Sequence, residues 1–288
     1  MSEDWKALAR RLEELLGRVE RLLPPAAADP DWKAQAFRWR KHPRGGYLEA
    51  VRHPHAIRFQ DLKDVDEQKA RLRENTAQFV AGRPANNVLL TGARGTGKSS
   101  LVKAALNEFA GKGLRLIEVD KRDLVDLPDI VDIVGDRKER FVVFCDDLSF
   151  EASDPGFKSL KVALDGSIAG SADNVLIYAT SNRRHLMPEF MDENLEARHV
   201  DGEIHPGETT EEKISLSERF GLWLSFYPFD QDQYLEIASH WVATLGGKAS
   251  DESRKAALVW ALERGSRSGR VAWQFARDWV GRSSGKRG

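Results

Sequence analysis

An α/β fold built on a parallel sheet is predicted by three observations. Between residues 86 and 228 short apolar runs alternate with helical stretches. The runs are too apolar for sheets with one wet face, so both faces must be covered. After Pro228 the strand pattern stops and only helical periodicity follows. The five strand candidates are NNVLLTG, LRLIEVD, RFVVFCDD, NVLIYATSN and GLWLSF, separated by segments long enough for crossover helices. A five-stranded parallel sheet flanked by helices is therefore expected, with a small C-terminal helical domain and an N-terminal helix.

At the N-terminus, Trp5, Leu8, Leu12, Leu15, Val19 and Leu22 recur at steps of three and four, one stripe of an amphipathic helix over residues 1–23. Pro24-Pro25 ends it. The stripe serves either packing on its own domain or a short intermolecular zipper. Residues 24–56 read as a linker and a basic aromatic arm, in which Trp32, Phe37, Trp39 and Tyr47 interleave with Lys33, Arg38, Arg40, Lys41, Arg44 and Arg52. Two readings stand: over residues 32–58 the rings stack on bases while the cations neutralise phosphates, or the rings pack on the next domain and the charges snorkel to water. The α/β domain is expected over 57–228. Residues 229–288 form the helical domain and tail: Asp230 caps a helix carrying Tyr234, Leu235, Ile237, Trp241 and Val242 that ends at Gly246-Gly247, and further helical stretches lie around 256–262 and 271–280.

The net charge of -1 hides an uneven distribution. Residues 32–58 carry 7 basic and 1 acidic group, residues 59–263 carry 25 and 36, and residues 264–288 carry 7 and 1. A total near zero argues against a dedicated nucleic-acid binder, but two basic flanks around an acidic body leave local contacts open. The single cysteine, Cys145, excludes an internal disulfide and reads as a core side chain. No Cys/His set has zinc-ligand spacing, no apolar h-region opens the chain and no run of about 18 apolar residues occurs, so a cytoplasmic protein without membrane contact is expected.

The chemistry is carried by residues 92–99, Gly92-Ala93-Arg94-Gly95-Thr96-Gly97-Lys98-Ser99, which satisfy G-x-x-x-x-G-K-[ST]. The strand NVLLT precedes the motif and a helix from about Ser99 to Phe109 follows, so backbone N–H groups and a helix N-terminus converge on phosphate oxygens. Gly92 through Ser100 are the expected nucleotide-binding loop; Lys98 reaches the terminal phosphates and the Ser99 hydroxyl ligates Mg2+. The run FVVFCDD places Asp146 and Asp147 at the C-terminal end of a buried strand, where ligands bind open parallel sheets. Asp146 is assigned to magnesium and Asp147 to activation of water.

With these motifs, residues 57 to 280 resemble the AAA+ ATPase superfamily of P-loop NTPases, a resemblance that implies ATP with Mg2+ as cofactors. It further implies apolar adenine contacts at Leu62 and Val65, a sensor-1 role for Asn182 at the end of NVLIYATSN, and an arginine finger at Arg219 in LSERFG, reaching a neighbouring copy's site. In GSRSGR, Arg270 resembles sensor 2, with Arg267 as the alternate. The segments ANNVLLTGARGTGKSS, FCDDLSFE, YATSNRRHLMPEF and LSERFGLWLSFYPFDQ are similar to a bacterial AAA+ group known only as a domain of unknown function. The chain departs from the superfamily in having Asp147 where many members carry Glu, in lacking an aromatic pore loop within KRDLVDLPD, and in lacking a helix-turn-helix after the helical domain. These departures imply slow hydrolysis, no polypeptide threading and no sequence-specific initiator role. Residues 189–212, with nine acidic groups, are expected as a solvated loop.

The expected function is an ATPase that hydrolyses ATP at the subunit interfaces of a homo-oligomer to remodel or load an unknown protein client. The alternative is a nucleotide-dependent loader that holds nucleic acid through residues 32–58 and hydrolyses weakly.

Overall fold

The structure is a computed structural model that describes residues 11–13, 29–42, 45–149, 154–165, 173–182, 198–200, 203–205 and 216–284. In chain order the strands are β1 (Ala36–His42), β2 (Gly45–Ala50), β3 (Val88–Gly92), β4 (Leu114–Val119), β5 (Arg140–Cys145), β6 (Val175–Ser181), β7 (Arg198–Val200), β8 (Glu203–His205) and β9 (Leu222–Phe226). The helices are α1 (Asp66–Val80), α2 (Lys98–Phe109), α3 (Leu127–Val134), α4 (Pro155–Asp165), α5 (Gln231–Thr244), α6 (Asp251–Glu263) and α7 (Gly269–Ser284). Of the helix expected over 1–23, residues 11–13 are described and helical; the rest lies outside the described residues.

All five expected strands are present, as β3, β4, β5, β6 and β9, but the sheet has seven strands rather than five, in the order β2-β1-β4-β5-β6-β3-β9. The two additional strands come from the basic aromatic stretch. Its residues alternate, with Phe37 and Trp39 buried and Arg38 and Arg40 exposed, which is the period of a strand against a core. β1 runs parallel to β4, pairing Phe37 with Ile117, and β2 turns back antiparallel to it. Trp39 donates its indole N–H to Asp126 at 2.9 Å. The outward cations are paired: Arg38 with Glu118 at 2.8 Å, Arg40 with Glu49 at 2.8 Å, and Lys41 with Asp123 at 3.3 Å. The rings of Phe37 and Trp39, 0% and 3% exposed, are thus core side chains and have no face left for a base.

The sheet is covered on both faces, as its apolar strands require. Val88, Leu90, Val142 and Phe144 face α1 and α2, packing with Leu72, Phe79, Leu101 and Phe109. Leu89, Phe141, Val143 and Cys145 face α3 and α4, packing with Leu127, Ile130, Phe157 and Leu160. Burial and the neighbouring Asp146 push the Cys145 thiol up to about 12, so it stays protonated and unreactive, as a core side chain should.

The three C-terminal helices pack together around Tyr234, Val242, Ala257, Ala261, Ala272 and Phe275. Asp230 caps α5 through a reciprocal pair, accepting from the Gln233 amide at 2.9 Å while its own amide donates to Gln233 Oε1 at 3.0 Å. Beyond the helix, the Gly247 amide returns to Val242 O at 2.8 Å. The acidic segment 189–212 lies mostly outside the described residues; within it β7 and β8 pair antiparallel. Among the described residues no helix is long and apolar enough to cross a membrane.

Candidate functional site

β3 sits between β6 and β9, neither of which is its neighbour in sequence, so the chain leaves β3 where the connections diverge. Such a point opens a crevice at the C-terminal ends of the strands. A cleft of about 820 Å³ lies there, walled by the loop after β3, the ends of β5 and β6, residues of the segment 55–65 and the C-terminal helices. All of Arg94 through Ser100 line it, while Gly92 closes β3 and Ala93 lies just behind them.

The loop after β3 has the backbone that its glycines permit. Gly97 stands at φ 101° as the residue before α2, and Gly95 at φ 74° leaves no room for a side chain, since a Cβ there would lie 2.8 Å from Ser268. The Gly95 carbonyl instead accepts from the Gly269 amide at 2.8 Å, tying the loop to the start of α7.

Lys98, the first residue of α2, is 6% exposed. Its Nζ donates to Gly92 O at 2.8 Å, Ala93 O at 2.7 Å and Asn182 Oδ1 at 3.0 Å. Burial pushes the amine below its ordinary pKa; Asp147 and Asp146 oppose the shift, and Arg94 and Arg270 add to it. No carboxylate among the described residues is within ion-pair reach of Arg94 or Arg270. Both sit on the cleft wall, so three cations converge on one space. Arg270 and Lys98 each occupy the first turn of a helix, where the macrodipole disfavours a cation and favours an anion. The placement makes an anion receptor at the cost of helix stability.

The acids stand opposite. Asp146 Oδ1 accepts from Ser99 Oγ at 2.6 Å and from Thr180 Oγ1 at 2.6 Å. Asp147 adopts the left-handed region at φ 54°, which a non-glycine residue enters only at some cost. Its amide donates to Thr180 Oγ1 at 2.9 Å, and its Oδ1 accepts a short bond from Asn182 Nδ2. Asn182 therefore touches both Lys98 and Asp147. Among the described residues no group of three or more His, Cys, Asp or Glu could cage a metal. One carboxylate beside one hydroxyl is nevertheless a donor set suited to Mg2+, which takes its other ligands from water and phosphate.

Leu62 and Val65 are buried and line the cleft, Leu62 O being held by Lys69 Nζ at 2.7 Å. Sequence reasoning missed much of this wall. Ile57, Phe229, Ile237, Trp241 and Trp273 also line it, the last two edge to face with ring centroids 4.7 Å apart. Thr180 was missed as well. Arg270 lies on the cleft and Arg267 does not. Arg219 lies outside its own chain's cleft, pairing through Nε with Asp165 at the end of α4 by a short contact.

The AAA domain of FIGL-1 in complex with ADP has a similar fold, with a TM-score of 0.51 and 16% identity over 76% of this chain and 70% of that one. A RuvB variant of Thermotoga maritima gives a TM-score of 0.49 at 16% identity, over 75% of this chain, which spans 60% of the RuvB chain. A chain of the HORMA:CdnC:Trip13 complex of E. coli MS115-1 gives 0.48 at 15% identity, over 76% of this chain and 89% of that one. No curated protein matches the sequence. The family model described as "Protein of unknown function (DUF815)" matches residues 32–283, nearly the whole described fold, and the chain belongs to that family, with an AAA+ fold.

Proposed function

We propose that the protein is an ATPase that hydrolyses ATP to ADP and phosphate in this cleft, as a homo-oligomer that remodels or loads a protein client. The observation that carries the reading is the meeting of three cations, Lys98, Arg94 and Arg270, with the pair Asp146 and Asp147 across one cleft. A triphosphate matches the cations, and a carboxylate pair supplies what hydrolysis requires: one group for a metal and one for water.

In this reading Lys98 binds the terminal phosphates and the loop 93–100 wraps them. Ser99 and Asp146 would hold Mg2+, which would supply positive charge beside the phosphate oxygens. Asp147 takes the proton of the attacking water, and Asn182, bonded to both Asp147 and Lys98, keeps base and cation in register. Leu62, Val65 and the apolar wall around Ile57 exclude water from the adenine end. Arg270 adds charge in cis. Arg219, which is outside its own cleft, serves a neighbouring copy's γ-phosphate, so the site is completed between subunits.

The nucleic-acid alternative is the less supported, because two of its four rings, Phe37 and Trp39, are core residues and Arg38, Arg40 and Lys41 are ion-paired. Phosphate release from ATP tests the main reading. The full chain with magnesium should turn over, and Lys98→Ala should lose at least about 100-fold, the scale of removing one charge-stabilising donor. No turnover by the wild-type chain at any concentration would overturn it.

A further inference from the structure

We infer that Thr180, on the penultimate position of β6, is a positioning residue for both acids of the cleft, a role that rests on the hydrolytic reading above. The residue is 1% exposed, and its hydroxyl has two partners, both on the turn that leaves β5. It donates its one proton to Asp146 Oδ1 at 2.6 Å and accepts the Asp147 amide proton at 2.9 Å. A single hydroxyl thus fixes the side chain of one acid and the main chain of the next.

The two bonds have separate consequences. Asp146 Oδ1 takes two hydroxyl donors, Ser99 and Thr180, which fill its two lone pairs and leave the acceptor capacity of the carboxylate on Oδ2. That selects which oxygen is available to a cation. Asp147, at φ 54°, lies beyond the regular ladder between β5 and β6, whose last pair is Cys145 with Ala179. The Thr180 side chain receives that amide instead, and the Thr180 carbonyl takes the next one, from Leu148, at 2.7 Å. The left-handed turn is held by one residue, and the direction of the Asp147 carboxylate follows from it. Asn182, two residues along the same chain, then meets Asp147 Oδ1.

Threonine and valine have nearly the same shape, so Thr180→Val removes both bonds with little change in volume, and Thr180→Ser restores the hydroxyl. Three readouts separate positioning from mere packing: kcat for ATP, the dissociation constant of ADP with and without magnesium, and amide hydrogen exchange at Asp147 in the nucleotide-free chain. Thr180→Val should lower kcat about 10- to 100-fold, the scale of losing a group that orients a metal ligand. It should also diminish the effect of magnesium on ADP binding, leave magnesium-free ADP binding within about twofold, and speed exchange at Asp147, with Thr180→Ser close to wild type in each. A hydrolysing wild type whose Thr180→Val variant has unchanged kcat and unchanged Asp147 exchange would overturn the inference alone. Equal damage in Thr180→Ser and Thr180→Val would overturn it too, as a packing effect. A wild-type chain without turnover would overturn the hydrolytic reading and the catalytic part of this inference with it, leaving the Asp147 exchange to decide the structural part.

Discussion

Two cation-rich regions of the molecule behave oppositely in the fold. In the β1–β2 hairpin, Arg38, Arg40 and Lys41 each find a carboxylate within 2.8 to 3.3 Å. In the cleft, Arg94 and Arg270 find none among the described residues and crowd a buried lysine instead. Density of positive charge therefore says little about binding. What matters is whether the fold has already supplied the counter-ion, because exposed pairs contribute only about 0–1 kcal/mol whereas converging cations wait for an anion.

The comparison can be broken in order of expected effect. Arg219→Ala should lose turnover by at least about 1,000-fold while retaining ATP affinity, because Arg219 supplies its charge to a neighbouring copy's site in the proposed assembly. Mixing it with Asp147→Asn protein should restore part of the phosphate release; no recovery at any ratio would remove Arg219 from the site. In the hairpin the loss should be of stability instead. Trp39→Ala should cost about 3–5 kcal/mol in denaturant unfolding, since it empties a core position and leaves Asp126 without its indole donor, yet nucleotide affinity should hold. Removing the outward charges with Arg38→Ala and Arg40→Ala should change stability by under about 1 kcal/mol each and leave single-strand binding at low salt unaltered.

The smallest effect concerns acid. His240 on α5 has its pKa lowered, chiefly by burial and further by Lys63, with Asp61 at 3.7 Å and Glu236 opposing. The unfolded chain therefore binds this proton first, and stability is lost as pH falls from about 6.5 through the lower folded value. His240→Gln should flatten the thermal midpoint over that window; an unchanged slope would show that other groups govern it.

How far these regions could be read from sequence differs for a physical reason. A glycine-rich loop ahead of a helix has a fixed spacing, so the sequence alone picks out the loop at 92–99 and the acids at 146–147 as candidates, and the fold brings Arg94 through Ser99 and both acids to one cleft. The five central strands were legible because burial on both faces demands continuous apolar runs. The hairpin was not, because an edge strand needs only alternate apolar residues, and the intervening arginines resembled a solvated arm; Phe37-Arg38-Trp39-Arg40 carried the period-two signal all the same. The apolar wall at Ile57, Trp241 and Trp273 was missed since any apolar side chain can serve there, and no spacing links segments that meet only in the fold. Thr180 was passed over because one threonine in a strand end is unremarkable until its two partners are known.

The bond from the Gly269 amide to the Gly95 carbonyl gives the molecule a mechanical linkage. It runs main chain to main chain between two glycines, and a Cβ at either would crowd it: at Gly95 one would lie 2.8 Å from Ser268, and at Gly269 one would lie 3.1 Å from the Gly95 carbonyl oxygen. Any displacement of the loop is therefore shared with the start of α7, a helix of 16 residues whose positions 281–283 are exposed. At about 1.5 Å per residue that helix is roughly 24 Å long, so the loop and an exposed surface that far away share one rigid element.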